Sequence, residues 1–378
     1  MNILFLDQFS DPGGAQLCLL DLMPEIIRRG WRPRIMAPGT GELLKWSGRV
    51  GIPTDPLPLA AYSNGRKTAL DLLKFSVDGP RMAALVRRVI QRERVDLLYV
   101  NGPRVLPAVL GVSCPVVFHA HSYVRAGYGR KLVEWTLRTG NAAVIAASEY
   151  VAGNHLQRLG RQRVRVIYNG IADLQCSPRS FRRRPVRVGI VGRIAVEKGQ
   201  MDFVRAARQI AETGGDAEFL IYGERLFADA RYDAQVRALA LNAPVTFCGW
   251  TNDVAATLRN MEILAVPSGP DEAATRVIME AFSAGTPVVA YRSGGIPELV
   301  EQGRTGILTE TPDFAALADS IRMLIGDPGL MERLSAAGRK EWEERFRVER
   351  FQKDVCDLIE SVGQNGILRR VGNPALRA

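Results

Sequence analysis

The feature that most constrains this chain is an alternation, run through twice, of short apolar segments and amphipathic helical stretches. In the first pass, residues 3–6, 34–37, 97–100, 116–119 and 144–147 read as buried strands, with helical periodicity between them at 15–29 and 80–91. The pattern breaks, then restarts at 186–191 and continues through 217–222, 245–247, 263–266 and 288–290. Strands separated by helices build parallel sheets covered on both faces. Two successive sets predict two doubly wound domains. A length of 378 residues agrees, since one hydrophobic core stops growing well before that size.

The break between the sets is polar, contains Pro178 and carries Arg182, Arg183 and Arg184. The expected division is therefore a first domain at 1–173, a hinge at 174–184 and a second domain at 185–345. A closing helix within 346–378 is expected to pack back on the first domain and to end in a frayed tail.

Charge separates the two halves. Residues 1–184 hold 27 Lys and Arg against 13 Asp and Glu, leaving 23 against 27 for residues 185–378 out of the chain's 50 and 40. A basic half attracts anions such as phosphate-bearing substrates or an acidic membrane surface; a solvated arginine-rich surface is the other reading. Nucleic-acid binding accounts for the charge and gives the second half no role. The five scattered cysteines show neither zinc-ligand spacing nor a disulfide framework, as suits a reducing cytoplasm. The opening apolar run reads as a buried strand and not a leader, and no stretch approaches the ~20 apolar residues of a membrane span.

In open α/β sheets, ligands bind beyond the carboxyl ends of the strands. Four loops leave such ends. The first carries Gly13 and Gly14, which let backbone N–H groups approach a phosphate or sugar, or simply make a turn. It is too short for a dinucleotide fingerprint, and no phosphate-binding P-loop occurs. The second follows 115–118 and carries His119 and His121, two of the chain's three histidines. Alternation is expected to bring only one of the two to the binding edge. His119 is expected to be packed, and His155 to lie on a helix surface. The third carries Arg193 and Lys198, two cations suited to offset charge on a leaving diphosphate, with a surface salt-bridge role as the other reading for each. No paired Asp-x-Asp is visible, so no metal or other cofactor is expected.

The fourth loop is Pro267-Ser268-Gly269-Pro270-Asp271-Glu272, leading into a helix near Thr275 that stops at Gly285. Glu272 sits at the mouth of that helix, and Glu280 lies ~12 Å further along at 1.5 Å per residue. A helix N-terminus facing a cleft suits a diphosphate. Glu280, among Val277, Ile278, Met279, Ala281 and Phe282, is a carboxylate in apolar surroundings, and the vicinal hydroxyls of a ribose would satisfy it. On spacing alone, both glutamates are equally readable as members of an ordinary amphipathic helix.

The wider pattern resembles glycosyltransferase family 4, the retaining group 1 glycosyl transferases of GT-B fold. Glu272 and Glu280 after Pro267-Ser268, followed by Ala284-Gly285-Thr286-Pro287, are similar to that family's signature. So are Gly192-Arg193 with Glu197-Lys198-Gly199, Asn169-Gly170-Ile171, Ser293-Gly294-Gly295-Ile296-Pro297-Glu298, Gly303 with Gly306, and the Gly13-Gly14 loop. Together these span residues 2 to about 310, and the ordered set is far more specific than any glycine pair.

The resemblance implies two Rossmann-like domains with parallel sheets facing a central cleft. It implies transfer of a sugar from a nucleoside diphosphate, UDP- or GDP-linked, to an acceptor hydroxyl with retention. It assigns catalysis to Glu272, His121, Arg193 and Lys198, and donor binding to Gly13, Gly14, Arg193, Lys198, Thr275, Arg276, Val277 and Glu280. The basic first domain then suggests a phosphate-bearing or lipid-linked acceptor, in a cytoplasmic protein with peripheral contact to the membrane. Two departures stand out. After the first glutamate this chain has Ala273-Ala274-Thr275 where the family has a small residue, an aromatic and a glycine. Ala172 stands where an aspartate often follows Asn-Gly-Ile, with Asp173 next to it. The alternative is a non-catalytic nucleotide-sugar-binding protein of the same descent.

Overall fold

A computed structural model describes residues 1–372 apart from Pro12, 60–68, 125–126, Arg161, 176–178, 226–228, Asp271 and Ala274; the side chains of 69–76, 128, 154, 155, 157 and 365–372 lie outside the description as well. The expectations for Ala274, the His155 side chain and the tail after 372 therefore fall outside the described residues.

The chain forms two compact units, Met1–Tyr168 with Glu349–Ala378, and Asn169–Val348. In the first unit, β1 (Asn2–Asp7), β2 (Arg32–Pro38), β3 (Thr54–Leu57), β4 (Leu97–Asn101), β5 (Val116–Ala120), β6 (Ala143–Ala146) and β7 (Val164–Val166) form one sheet in the order β3-β2-β1-β4-β5-β6-β7. In the second, β8 (Val186–Val191), β9 (Ala217–Tyr222), β10 (Val245–Gly249), β11 (Ile263–Val266), β12 (Val288–Tyr291) and β13 (Ile307–Thr309) follow the order β10-β9-β8-β11-β12-β13. The pairings are parallel, with β1 lying between β2 (Phe5 beside Ile35) and β4 (Phe5 beside Tyr99). Both orders are the Rossmann order, reversing between the first and fourth strand of each unit.

The strands are apolar through their length because helices cover both faces. In the first unit Phe5, Tyr99, Val117 and Ile145 pack with Leu19, Leu22 and Ile26 of the helix Gly14–Arg28. The same core receives Phe351, Val355, Cys356 and Ile359 from the helix Val348–Gly372. Gln352 Nε2 donates to the carbonyl of Asp21 at 2.6 Å, and Arg29 pairs with Asp357 at 2.7 Å. In the second unit Val188, Phe219, Ile263 and Tyr291 pack against Phe203 and Leu317.

The stretch read as a hinge is bound along the second unit. Leu174 N–H donates to Ser283 Oγ at 2.9 Å, Arg179 reaches the carbonyl of Met261 at 2.5 Å and Thr286 Oγ1 at 2.8 Å, and Phe181 is fully buried. A lack of apolar periodicity concealed this, because single groups spaced along the segment, among them Leu174 N–H, Arg179 and Phe181, make the attachment.

Candidate functional site

The strand-order reversals are where an open sheet leaves room for a ligand, and the polar side chains gather at both. In the second unit the reversal lies between β8 and β11. Gly192 and Arg193 follow β8, and a short turn, Val196–Lys198, leads through Gly199 into the helix Gln200–Glu212. Gly199 has φ 74°, and a Cβ there would lie 1.9 Å from the carbonyl oxygen of Pro267. Gly294 has φ 54°, and a Cβ there would lie 2.0 Å from the carbonyl oxygen of Glu272. Both glycines are therefore required for the close approach of their loops to the loop after β11.

That approach sets the central contact. Lys198 Nζ donates to Glu272 Oε2 at 2.5 Å, with both side chains largely buried. The Glu272 backbone is held at both ends: its N–H donates to Gly269 O at 3.1 Å, and its carbonyl accepts from Gly295 N–H at 3.0 Å. Arg193 pairs with Glu197 at 2.9 Å, while Gln200 Nε2 donates to the Arg193 carbonyl at 2.7 Å. The two cations thus sit in one loop, each with its own carboxylate.

The helix after the loop runs Arg276–Ala284, with Thr275 as N-cap and Gly285 closing it at φ 65°. The Thr275 side chain makes no capping bond to the helix's first turn, where Arg276 and Val277 stand; Thr275 Oγ1 and Ser293 Oγ are buried with no hydrogen-bond partner among the described residues. Glu280 Oε1 accepts from Arg276 Nε at 2.8 Å, one turn away. This pairing satisfies part of the demand that apolar surroundings place on Glu280, which the sequence reading assigned to a ligand alone. Ala273 is buried. Asp173 is committed elsewhere: it pairs with Arg339 at 2.7 Å, which holds its carboxyl below the usual carboxylate range.

In the first unit the reversal lies between β1 and β4. Asp7 ends β1 and Asn101 ends β4, both fully buried. Asp7 Oδ1 accepts from Phe9 N–H at 2.9 Å and from Gln16 Nε2 at 2.7 Å, and Oδ2 accepts from Asn101 Nδ2 at 2.5 Å. Burial still dominates over these bonds and pushes the Asp7 carboxyl up to about 6. Asn101 Oδ1 lies 2.7 Å from His121 Nε2. Desolvation holds the His121 imidazolium down to about 3, so the ring is neutral near pH 7.

His119 is buried within β5, 2.6 Å through Nδ1 from Tyr99 Oη, and its ring centroid lies 3.7 Å from that of His121. The expectation that alternation separates the two histidines fails, because residues two apart in a strand share a face. Depth separates them instead, with His121 half-buried just beyond the strand end. Gly13 N–H donates to Gln16 Oε1 at 3.1 Å, whereas a Cβ on Gly14 would meet open space. Asp7, Gln16, Asn101 and Tyr99 were not singled out in the sequence. A polar residue closing an otherwise apolar strand was the signal for Asp7 and Asn101. No group of three or more His, Cys, Asp or Glu side chains suited to a metal occurs among the described residues.

Two Rossmann-ordered units, each with polar loops at its own strand-order reversal, define a GT-B protein. Residues 12–173 match the family model described as Glycosyltransferase Family 4, and residues 185–327 match that of Glycosyl transferases group 1. The chain belongs to this glycosyltransferase family. It is 27% identical over 380 residues to the phosphatidyl-myo-inositol mannosyltransferase of Mycobacterium leprae, covering 95% of this chain and 96% of that one. It is 31% identical over 163 residues to the 2-deoxystreptamine glucosyltransferase of Streptomyces kanamyceticus, covering 43% and 42%. Among solved structures, Anabaena HepE in complex with UDP and glucose superposes with TM-score 0.78 at 25% identity, covering 96% of this chain and 100% of HepE.

Proposed function

We propose that the chain is a retaining glycosyltransferase that moves a sugar from a UDP- or GDP-linked donor to an acceptor hydroxyl without a metal ion. The observation that carries this reading is the Lys198–Glu272 pair at the strand-order reversal, beside a helix whose N-cap residue Thr275 makes no side-chain cap. Lys198, Arg193 and the N–H groups of that first turn offer positive charge to a diphosphate. Within the second unit, Glu280 takes the ribose hydroxyls and Glu272 hydroxyls of the sugar; within the first unit, His121 takes a sugar hydroxyl.

In the reaction, the bond from the anomeric carbon to the diphosphate oxygen breaks, and the bond to the acceptor oxygen forms on the same face. The acceptor proton passes to the leaving phosphate oxygen. Arg193 and Lys198 stabilise the charge that develops there, the role a divalent cation would otherwise fill. HepE, solved with UDP and glucose, supports a nucleotide-sugar donor. The mannosyltransferase relative, named for phosphatidyl-myo-inositol, and the basic first half support a phosphate-bearing, lipid-linked acceptor. Among the described residues no helix is long and apolar enough to cross a membrane. The helix Tyr128–Thr139, with half-exposed Trp135 beside Lys131 and Arg138, offers peripheral contact.

A thermal-shift screen of UDP-, GDP- and ADP-sugars tests the reading, followed by assignment of the product's anomeric configuration by NMR. Stabilisation by at least one donor and a retained anomer are expected, with chelators having no effect. Stabilisation by none would sink the proposal. Donor turnover that disappears in Glu272→Ala would rule out a non-catalytic binding protein.

A further inference from the structure

The proposed role of His121 requires a ring that is oriented and carries its proton on one known nitrogen. We propose that Asp7 and Asn101 are positioning residues that hold His121 as the Nε2–H tautomer, so that Nδ1 meets a sugar hydroxyl as a hydrogen-bond acceptor. The inference rests on the functional reading above only for the identity of that ligand.

The direction of every bond in the chain follows from donors that cannot reverse. Phe9 N–H and Gly13 N–H are backbone groups and only donate. Gly13 N–H fixes Oε1 of Gln16 as the acceptor, 3.1 Å away, which leaves Nε2 of Gln16 to donate to Asp7 at 2.7 Å. Asp7 Oδ1 therefore receives two donors, as an ionised carboxylate does. One end of the Asn101 amide faces two acceptors, Asp7 Oδ2 at 2.5 Å and the carbonyl of Ala15 at 3.2 Å. Only the NH2 group can serve both, so the opposite end is the carbonyl oxygen. That oxygen lies 2.7 Å from His121 Nε2, which must then carry the hydrogen. A neutral ring protonated at Nε2 has its lone pair at Nδ1. The His119 ring, itself tied to Tyr99, lies against His121 at 3.7 Å and restrains its plane.

The arrangement discriminates between ligand groups. An acceptor nitrogen takes the O–H of a sugar and has nothing to offer a phosphate oxygen or a carbonyl. Burying a full carboxylate solely to fix a neighbouring amide is costly, and the cost is explained if the tautomer matters.

The test is long-range 15N–1H NMR of the histidines in the full chain, with His121 assigned by His121→Gln. It is joined to affinities for UDP-glucose, GDP-mannose, UDP and GDP. The wild type is expected to show the Nε2–H tautomer near neutral pH. Asn101→Ala is expected to show mixed tautomers, with ten-fold or greater loss in affinity for the sugar nucleotide that binds and unchanged affinity for the bare nucleotide. A merely structural role would not move the tautomer or split sugar nucleotide from nucleotide. A wild-type His121 that is Nδ1–H or cationic would overturn the proposal, as would an Nε2–H form that persists in Asn101→Ala. Absence of nucleotide-sugar binding in the wild type would strike the functional reading instead, since the tautomer is read without any ligand.

Discussion

Lys198 Nζ lies 2.5 Å from Glu272 Oε2, joining the loop after the first strand of the second unit to the loop after its fourth. Both side chains are mostly withdrawn from water, so removing one partner leaves the other as a poorly solvated charge. Lys198→Met is therefore expected to destabilise the ligand-free protein by about 1–3 kcal/mol, and to lower turnover by two orders of magnitude or more if Lys198 also holds the diphosphate. Glu272→Gln keeps a hydrogen-bond acceptor for the lysine and should be the milder change in stability. Urea unfolding and steady-state kinetics of the two variants check both halves. Equal stability losses would show that the pair is not held as described.

The same contact depends on two backbone approaches that admit no side chain. A Cβ at Gly199 would sit 1.9 Å from Pro267 O, and one at Gly294 would sit 2.0 Å from Glu272 O, both at positive φ. Gly294→Ala is expected to cost about 2–4 kcal/mol, combining strain with displacement of backbone that cannot yield as a flexible side chain would. Donor affinity should fall with it, because Glu272 moves away from Lys198. Thermal unfolding and donor titration measure the two effects. A variant of unchanged stability would mean that the loops can separate freely.

The legibility of this chain follows from what each feature needs. The interior strands were visible because parallel strands covered on both faces must be apolar throughout. β3, β7 and β13 were not, each being a short strand at a sheet edge and, in β3, containing Pro56. Glu272, Glu280, Arg193 and Lys198 stood out because their loops follow strands in an ordered set. The pairing of Lys198 with Glu272 did not, since it spans 74 positions and no local period connects the two. Asp7 was readable only as the end of a strand. Its partnership with Asn101 spans 94 positions and exists because β1 and β4 are neighbours at the reversal.

Asp7 makes stability depend on pH in a defined direction. Its carboxyl is raised from 3.8 to about 6 by burial, so the folded state holds its proton more tightly than the unfolded chain. The contribution is present in full below about pH 4 and is lost as pH rises through about 6. At 1.36 kcal/mol per unit the swing is about 3 kcal/mol. His121 acts oppositely, being lowered from 6.5 to about 3, so that stability falls as pH drops through that window. Comparison of wild type with Asp7→Asn isolates the aspartate. The stability of the variant relative to wild type should rise by up to that amount between pH 4 and 7 in urea unfolding. A flat difference profile would show that Asp7 is not charged at the expense of folding.

Thr275 offers a prediction whose sign separates two roles. An N-cap threonine normally accepts a backbone N–H with its hydroxyl, and replacement by alanine then costs about 1 kcal/mol. Here the hydroxyl caps nothing and is buried with no hydrogen-bond partner among the described residues. A buried hydroxyl without a partner carries a desolvation penalty that alanine removes. Thr275→Ala is accordingly expected to leave the ligand-free protein as stable as wild type, or up to about 1 kcal/mol more stable. If the hydroxyl is kept for the donor, the same variant should bind nucleotide sugars about five- to ten-fold more weakly, and Thr275→Ser should recover most of that loss. Thermal unfolding with and without saturating donor reads both quantities from one set of samples. A variant that is less stable without ligand yet binds donor as wild type does would return Thr275 to an ordinary structural cap.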